Sequence, residues 1–152
     1  MVKKIISFAL LLAVIFVGYM FFHTYRAENS ESQKLFLTGK FPSPLPDGFY
    51  KGTTEISQKG WEGKTFFSTR STGINTFQGE QKFPFVTSQG KGLTDPELEV
   101  VKIDYKNGKN PFWVAPVLDE IVQVAPGKYV GKIHYRLIPG FPFVLGYFQL
   151  EK

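Results

Sequence analysis

Residues 128–138 read KYVGKIHYRLI and show the clearest two-residue alternation in the chain. The odd-numbered positions are apolar or glycine, whereas the even-numbered ones are mostly Lys, His or Arg. A strand with this period packs one face into a core and presents the other face to water. We therefore predict a half-buried β-strand over 128–138, with Lys132, His134 and Arg136 on its solvent face.

Turn dipeptides on both sides of this segment support the prediction of a strand and mark where the neighbouring strands end and begin. Pro126-Gly127 and Pro139-Gly140 separate it from its neighbours, and Asn107-Gly108 suits a tight hairpin after another alternating run. Short runs rich in Val, Ile, Phe, Tyr and Thr predict strands at 48–57, 63–70, 73–79, 83–87, 98–105, 112–116, 117–125, 128–138 and 142–150. Eight or nine short antiparallel strands without a covering helix bury their apolar faces in a sandwich or a closed barrel. The predicted fold class is all-β, a small antiparallel barrel over residues 47–152.

The N-terminus carries an apolar segment without charge, IISFALLLAVIFVGYMFF over residues 5–22. As a helix it covers about 27 Å, close to the hydrocarbon thickness of a bilayer. Lys3 and Lys4 precede it, which places the N-terminus in the cytoplasm and the rest outside. Residues 1–26 therefore predict a transmembrane signal anchor in the cell membrane, with an extracytoplasmic domain. A cleaved signal peptide and a buried helix of a soluble protein are the alternatives, but no small-x-small cleavage site follows Phe21-Phe22.

The stretch between the apolar segment and the first predicted strand differs in composition from both. Residues 27–46, AENSESQKLFLTGKFPSPLP, begin polar and end rich in proline, which favours extended backbone. We predict a linker that holds the domain away from the membrane. Leu35-Phe36-Leu37 is expected to pack onto the domain.

Composition and charge exclude several functional classes. The chain has no Cys and two His, so disulfides, thiolate metal sites and cysteine nucleophiles are excluded and no metal or other cofactor is expected. Three of the 18 Lys and Arg precede residue 27, which leaves 15 basic residues against 13 acidic ones in the exported part. Nucleic-acid binders usually have a clustered basic face, and these charges are scattered, so no nucleic-acid partner is expected.

Three short motifs point to a family. The domain begins with Gly48-Phe49-Tyr50-Lys51-Gly52, continues with Gly60-Trp61-Glu62-Gly63-Lys64-Thr65-Phe66, and ends with Pro139-Gly140-Phe141-Pro142-Phe143. Together they resemble the small bacterial GXWXG-type domains, which are similar to lipocalins. The first motif departs from the family by having Tyr50 in place of Trp. The resemblance implies a lipocalin-like, up-and-down barrel, and the family has no well-defined general activity.

Aromatic side chains and two adjacent carboxylates supply the candidate binding residues. Period two places Asp119 and Glu120 on opposite faces of one strand, so one of them points into the barrel, where it could orient the polar group of a ligand. Tyr50 is expected to close one end of the barrel. The candidates for ligand binding are Tyr50, Trp61, Asp119, Glu120, Tyr135 and Phe143. No catalytic or metal-binding residue is assigned.

Three functions compete on these observations. The exported part keeps 12 of the 16 Phe and both Trp, which favours a membrane-anchored barrel that binds a small hydrophobic, lipid-like ligand. A structural or interaction protein of the cell envelope would have a filled core and an exposed aromatic patch. An enzyme of the cyclase or isomerase type would need a titratable group in the cavity, for which Asp119, Glu120 and His134 are the candidates.

Overall fold

The structure, a computed structural model, describes residues 2–106 and 109–152 and consists of one closed barrel preceded by two helices. Strands β1 to β8 follow one another around the barrel in chain order, each antiparallel to the next, and β1 pairs with β8 to close it. The helices are α1 (Val2–Glu28) and α2 (Glu31–Leu37). The strands are β1 (Gly48–Thr54), β2 (Trp61–Phe67), β3 (Thr72–Phe77), β4 (Glu80–Lys91), β5 (Glu99–Asp104), β6 (Val117–Ala125), β7 (Lys128–Ile138) and β8 (Phe141–Glu151). The predicted all-β barrel behind an N-terminal apolar helix is thus confirmed.

Two ends of the barrel can be distinguished by the connections they carry. The β1–β2, β3–β4, β5–β6 and β7–β8 connections lie at one end, called here the mouth. At the opposite end the interior is filled by aromatic rings, among which Tyr50 lies 5.3 Å from Tyr129 and 5.9 Å from Phe66, centroid to centroid. These edge-to-face pairs hold the rings in close contact in that half of the barrel.

Helix α1 is apolar along most of its length and touches the barrel only with its C-terminal part. Residues 4–16 are exposed, whereas Met20 and Thr24 are buried against the barrel. The backbone N–H of Val144 in β8 donates to Thr24 Oγ1 at 3.1 Å. Lys4–Glu28 is long and apolar enough to span a membrane, as either an anchor or a signal sequence.

Helix α2 lies on the outer face of the barrel. Ser30 caps its N-terminus by accepting from the backbone N–H of Gln33 at 3.2 Å. Phe36 is 0% exposed and packs beside Tyr147 of β8, and Lys40 then pairs with Gln123 of β6. The stretch 27–46 is therefore in contact with the barrel at several points.

Two local predictions are wrong. Residues 112–116 form a turn instead of a strand, because the N–H groups of Val114 and Ala115 both donate to Pro111 O. The expected solvent face of β7 is in part covered: Lys132 and His134 are 0% exposed under the helices and the segment between β4 and β5. The hairpin expected at Asn107-Gly108 lies outside the described residues.

Candidate ligand-binding site

A cavity of about 190 Å³ occupies the mouth half of the barrel. Its entrance is lined by half-buried side chains from the connections and strand ends, among them Ile56, Phe77, Phe83, Val114 and Leu145. Its walls are largely apolar and aromatic. An engineered apolar cavity of about 150 Å³ binds benzene, so this volume accommodates a single ring or a short alkyl segment.

A β-bulge brings two chemically different side chains of β2 into the same cavity. Strict alternation would place Trp61 and Lys64 on opposite faces, but the register shifts between Trp61 and Gly63. Gly63 has φ of +150°, and a Cβ there would lie 2.0 Å from Tyr50 O, so no other residue fits this backbone. As a result, both Trp61 and Lys64 line the cavity.

The floor of the cavity is a buried cluster of four polar residues, called here the inner polar cluster. Its members are Lys64, Asn75, Tyr105 and Asp119. Lys64 Nζ donates to Asp119 Oδ2 at 2.9 Å, to Asn75 Oδ1 at 2.9 Å and to the Tyr105 hydroxyl at 2.6 Å. Three donated bonds use all three N–H groups of an ammonium, so the geometry is that of a charged lysine.

The other members of the inner polar cluster bond to one another, except at one atom. The Tyr105 hydroxyl donates to Asp119 Oδ2 at 3.2 Å and accepts from Asn75 Nδ2 at 2.9 Å. Trp61 Nε1 donates to Asn75 Oδ1 at 3.1 Å. Among the described residues nothing hydrogen-bonds to Asp119 Oδ1, although that atom is buried. A buried carboxylate oxygen without a partner is costly, so a hydrogen-bond donor that reached this atom would be stabilised by it.

The charges of Lys64 and Asp119 cancel, so the inner polar cluster is electrically neutral, and aromatic rings surround it. Burial lowers the pKa of Lys64, and the nearby Asp119 carboxylate acts in the opposite direction. Burial also raises the pKa of Tyr105 well above its ordinary value. Lys64 Nζ lies 4.9 Å from the ring centroid of Phe148 and 5.5 Å from that of Trp61, within cation–π range. A neutral ligand with one hydroxyl or amide donor suits this site better than an anion does.

The six candidate residues lie in different parts of the structure. Trp61 and Asp119 line the cavity, and Tyr50 packs at the opposite end of the barrel. Glu120 faces the outer surface under the segment between β4 and β5, where its Oε1 accepts from Leu93 N at 2.8 Å. Tyr135 is half-buried outside the cavity lining, and Phe143 is buried 5.4 Å from the ring of Phe21 in α1. The sequence reasoning missed Lys64, Asn75 and Tyr105.

A second set of buried polar residues lies between the barrel and the helices and is called here the outer polar cluster. It comprises Gln33, Asp95, Glu120, Lys132 and His134. Lys132 Nζ donates to Asp95 Oδ2 at 3.0 Å, and Gln33 Nε2 donates to Asp95 Oδ1 at 2.8 Å. This cluster ties α2 to the barrel wall and lies outside the cavity. In the described part of the chain no group of three or more residues suited to holding a metal ion occurs.

Glu120 and His134 face each other within the outer polar cluster. His134 Nδ1 lies 3.9 Å from Glu120 Oε2, and both side chains are 0% exposed. Burial raises the pKa of Glu120 to about 7 and lowers that of His134 to about 3, the latter with help from Lys132. Near pH 6 the folded protein therefore holds a protonated Glu120 beside a neutral His134.

This pair predicts an unusual pH dependence of stability for Glu120→Gln. Between about pH 4.5 and 6.5 the unfolded wild type carries one proton on His134, whereas the folded wild type carries one on Glu120. Folding therefore changes no net proton count, and the pH-dependent contributions of the two residues to stability cancel there. In the variant only the histidine remains. Its lowered pKa makes the free energy of unfolding rise with pH by up to about 1.4 kcal/mol per unit over that window, relative to wild type.

The measurement is guanidinium unfolding of the full chain in mild detergent at several pH values. His134→Gln is the matched control, because the raised pKa of Glu120 then acts alone and the slope relative to wild type takes the opposite sign between about pH 4.5 and 6.5. Parallel curves for wild type and both variants would contradict the assigned protonation states.

The fold and the site define a class: a closed eight-stranded barrel with an N-terminal apolar helix and a small aromatic cavity with a polar floor. Comparison with solved structures finds the crystal structure of a protein from Thermomonospora curvata, with a TM-score of 0.50 and 15% identity over 75% of this chain and 79% of that chain. At this identity the likeness supports the fold alone. No protein-family model and no curated protein matches the chain, so the resemblance to GXWXG-type domains stays a prediction.

Proposed function

We propose that this chain is a membrane-anchored, lipocalin-like protein that binds a small apolar ligand carrying one hydrogen-bond donor. The proposal rests on one observation above all: an aromatic cavity lined by Asp119, whose buried Oδ1 has no hydrogen-bond partner among the described residues. In this proposal the apolar part of the ligand packs among rings such as Trp61 and Phe148, and its hydroxyl or amide donates to Asp119. Helix α1 anchors the protein, and the barrel lies outside the cytoplasm.

The two alternative functions have less support. A structural protein with a filled core does not need a cavity, and the described barrel has one. The enzyme alternative requires its acid or base inside the cavity. Of its three candidates only Asp119 lines the cavity, and one of its oxygens already accepts from Lys64 and Tyr105. Glu120 and His134 lie in the outer polar cluster.

A matched pair of probes tests the proposed binding. We expect 4-ethylphenol to bind the full chain at least about tenfold more tightly than ethylbenzene, because a hydrogen bond to a charged acceptor contributes about 1.5–3 kcal/mol. The measurement is isothermal titration calorimetry in a sterol-based detergent, whose rings are too large for the cavity. Solvent extraction of the purified chain, followed by mass spectrometry, then identifies a natural ligand.

Two tryptophan substitutions provide the controls for this titration. Leu145→Trp fills the cavity entrance and is expected to abolish binding of both probes. Val86→Trp adds the same ring on an exposed position of β4 and is expected to leave binding unchanged. The proposal fails if neither probe binds the wild type, or if Leu145→Trp binds both as wild type does.

A further inference from the structure

Five exposed apolar side chains lie at the mouth of the barrel, on two of its connections, and are called here the rim patch. They come from the 111–116 turn and the β7–β8 hairpin: Phe112, Trp113, Leu137, Ile138 and Phe141. Phe112 is 84% exposed and Trp113 is 56% exposed, which is unusual for such large apolar residues. The neighbouring Val114 lines the cavity entrance, so the rim patch and the entrance are continuous along the chain.

Hydrogen bonds hold the two segments of the rim patch together. The backbone N–H of Arg136 donates to Pro116 O at 3.0 Å, which joins the end of β7 to the 111–116 turn. The Arg136 guanidinium donates two bonds to the Asp104 carboxylate, at 2.7 and 3.1 Å, and one to Pro116 O. The rim patch is therefore one surface at the mouth, and not two independent loops.

Helix α1 leaves the barrel beside this surface. The ring of Phe21 lies 4.6 Å from that of Phe141 at the rim. Further along the helix, Thr24 accepts a hydrogen bond from Val144, which lies deeper in β8. Near the end of the helix, Glu28 accepts one from Lys132 in the middle of β7. Toward its N-terminus, the helix therefore passes the rim and continues beyond the mouth. Its residues 4–16, which are exposed, extend past this end of the barrel.

The length of the apolar segment sets the distance between the rim patch and a bilayer. Residues 5–22 cover about 27 Å as a helix, so nearly all of them are needed to cross a hydrocarbon core of about 30 Å. Phe21 then lies at the outer boundary of that core, and Phe141 touches Phe21. Aromatic residues such as Trp113 favour this boundary region.

We propose that the rim patch docks on the lipid bilayer around α1, so that the cavity opens toward the membrane and its ligand enters from the lipid phase. This inference rests on the proposed membrane anchor. The cavity is too small for a whole lipid, so an entering molecule is either small or inserts only one segment. Contact with lipid also covers apolar side chains that would otherwise face water.

Tryptophan quenching by brominated lipid tests the docking directly. The full chain carrying Trp61→Phe retains Trp113 as its one tryptophan and is reconstituted in nanodiscs of phosphatidylcholine, with or without bromine near the carbonyl end of the acyl chain. We expect bromine to reduce the fluorescence of Trp113 by about half or more, because the ring lies at the interface.

A tryptophan at the far end of the barrel is the matched control. The triple variant Trp61→Phe, Trp113→Phe, Phe49→Trp moves the single tryptophan to an exposed position at the start of β1, away from the mouth. Its fluorescence is expected to be unaffected by bromine. Equal quenching at both positions, or none at Trp113 in chains that co-purify with nanodiscs, overturns the docking.

The outcome also separates docking from the proposed ligand binding. The 4-ethylphenol titration is made in detergent and needs no bilayer. Binding of that probe together with an unquenched Trp113 overturns the docking alone. A quenched Trp113 without probe binding supports the docking and overturns the ligand function. Failure of the chain to enter nanodiscs overturns the anchor and the docking together.

Discussion

Asp119→Asn is expected to lower the free energy of unfolding by about 3–5 kcal/mol, the usual cost of breaking a buried ion pair by removing one partner. Lys64 would keep its place in the barrel, with both side chains of the pair only 4% exposed, but would lose the neutralising charge 2.9 Å away. The pKa of Lys64 is already lowered by burial. Without the carboxylate it falls further, so the variant recovers stability as the pH rises and the lysine becomes neutral.

Guanidinium unfolding at several pH values measures this loss. The double variant Lys64→Met, Asp119→Leu removes both charges and is expected to be more stable than Asp119→Asn, because no buried charge remains unpaired. Glu80→Gln is the matched control: it breaks the exposed pair with Lys82 and should cost about 1 kcal/mol or less. If Asp119→Asn costs no more than Glu80→Gln, the inner polar cluster is not the buried, dry site described above.

Phe36→Ala is expected to have an effect of similar size through packing. Phe36 is fully buried between α2 and the barrel, 6.3 Å from the ring of Tyr147 and 5.9 Å from Lys132 Nζ. Truncating a buried phenylalanine to alanine costs about 3–5 kcal/mol. The loss would also admit water to the outer polar cluster, whose buried charges depend on the cover that α2 provides.

Denaturant unfolding together with amide hydrogen exchange checks this prediction. Leu37→Ala is the matched control, because Leu37 belongs to the same helix but is 44% exposed. It should cost about 1 kcal/mol or less. Equal effects of the two substitutions would mean that α2 is not docked through Phe36. In the expected case, fragments of this protein made for binding studies need residues 27–46 as part of the folded unit.

Much of the barrel could be predicted from local patterns. The alternation in KYVGKIHYRLI and its flanking Pro-Gly dipeptides predict a strand over 128–138, and β7 has these bounds. The 112–116 segment looked equally strand-like by composition. Pro111 precedes the segment and Pro116 is its last residue, and the hydrogen bonds of Val114 and Ala115 to Pro111 O fold it into a turn. Composition alone does not show whether such a short segment forms a turn or a strand.

The candidate site was harder to predict, because its residues depend on register. Asp119 and Glu120 lie in a strand that is apolar on both faces, so period two shows that one carboxylate points inward without showing which. Lys64 looks like an exposed lysine, and only the bulge at Gly63 places it beside Trp61. A glycine inside a strand is a signal for a bulge, but the signal does not tell which side chains the bulge turns inward.

By itself the sequence determined the apolar helix, most of the strands and the need for a sandwich or a closed barrel, since these follow from local composition and from periodicity of two residues. Only the tertiary structure decided which polar groups are buried. His134 and Lys132 alternate as exposed residues do, yet both are fully buried, and Lys132 is covered by helices that lie about 100 positions away in the chain. Burial of a polar side chain depends on what the rest of the chain lays over it, and local patterns carry no information about such distant contacts.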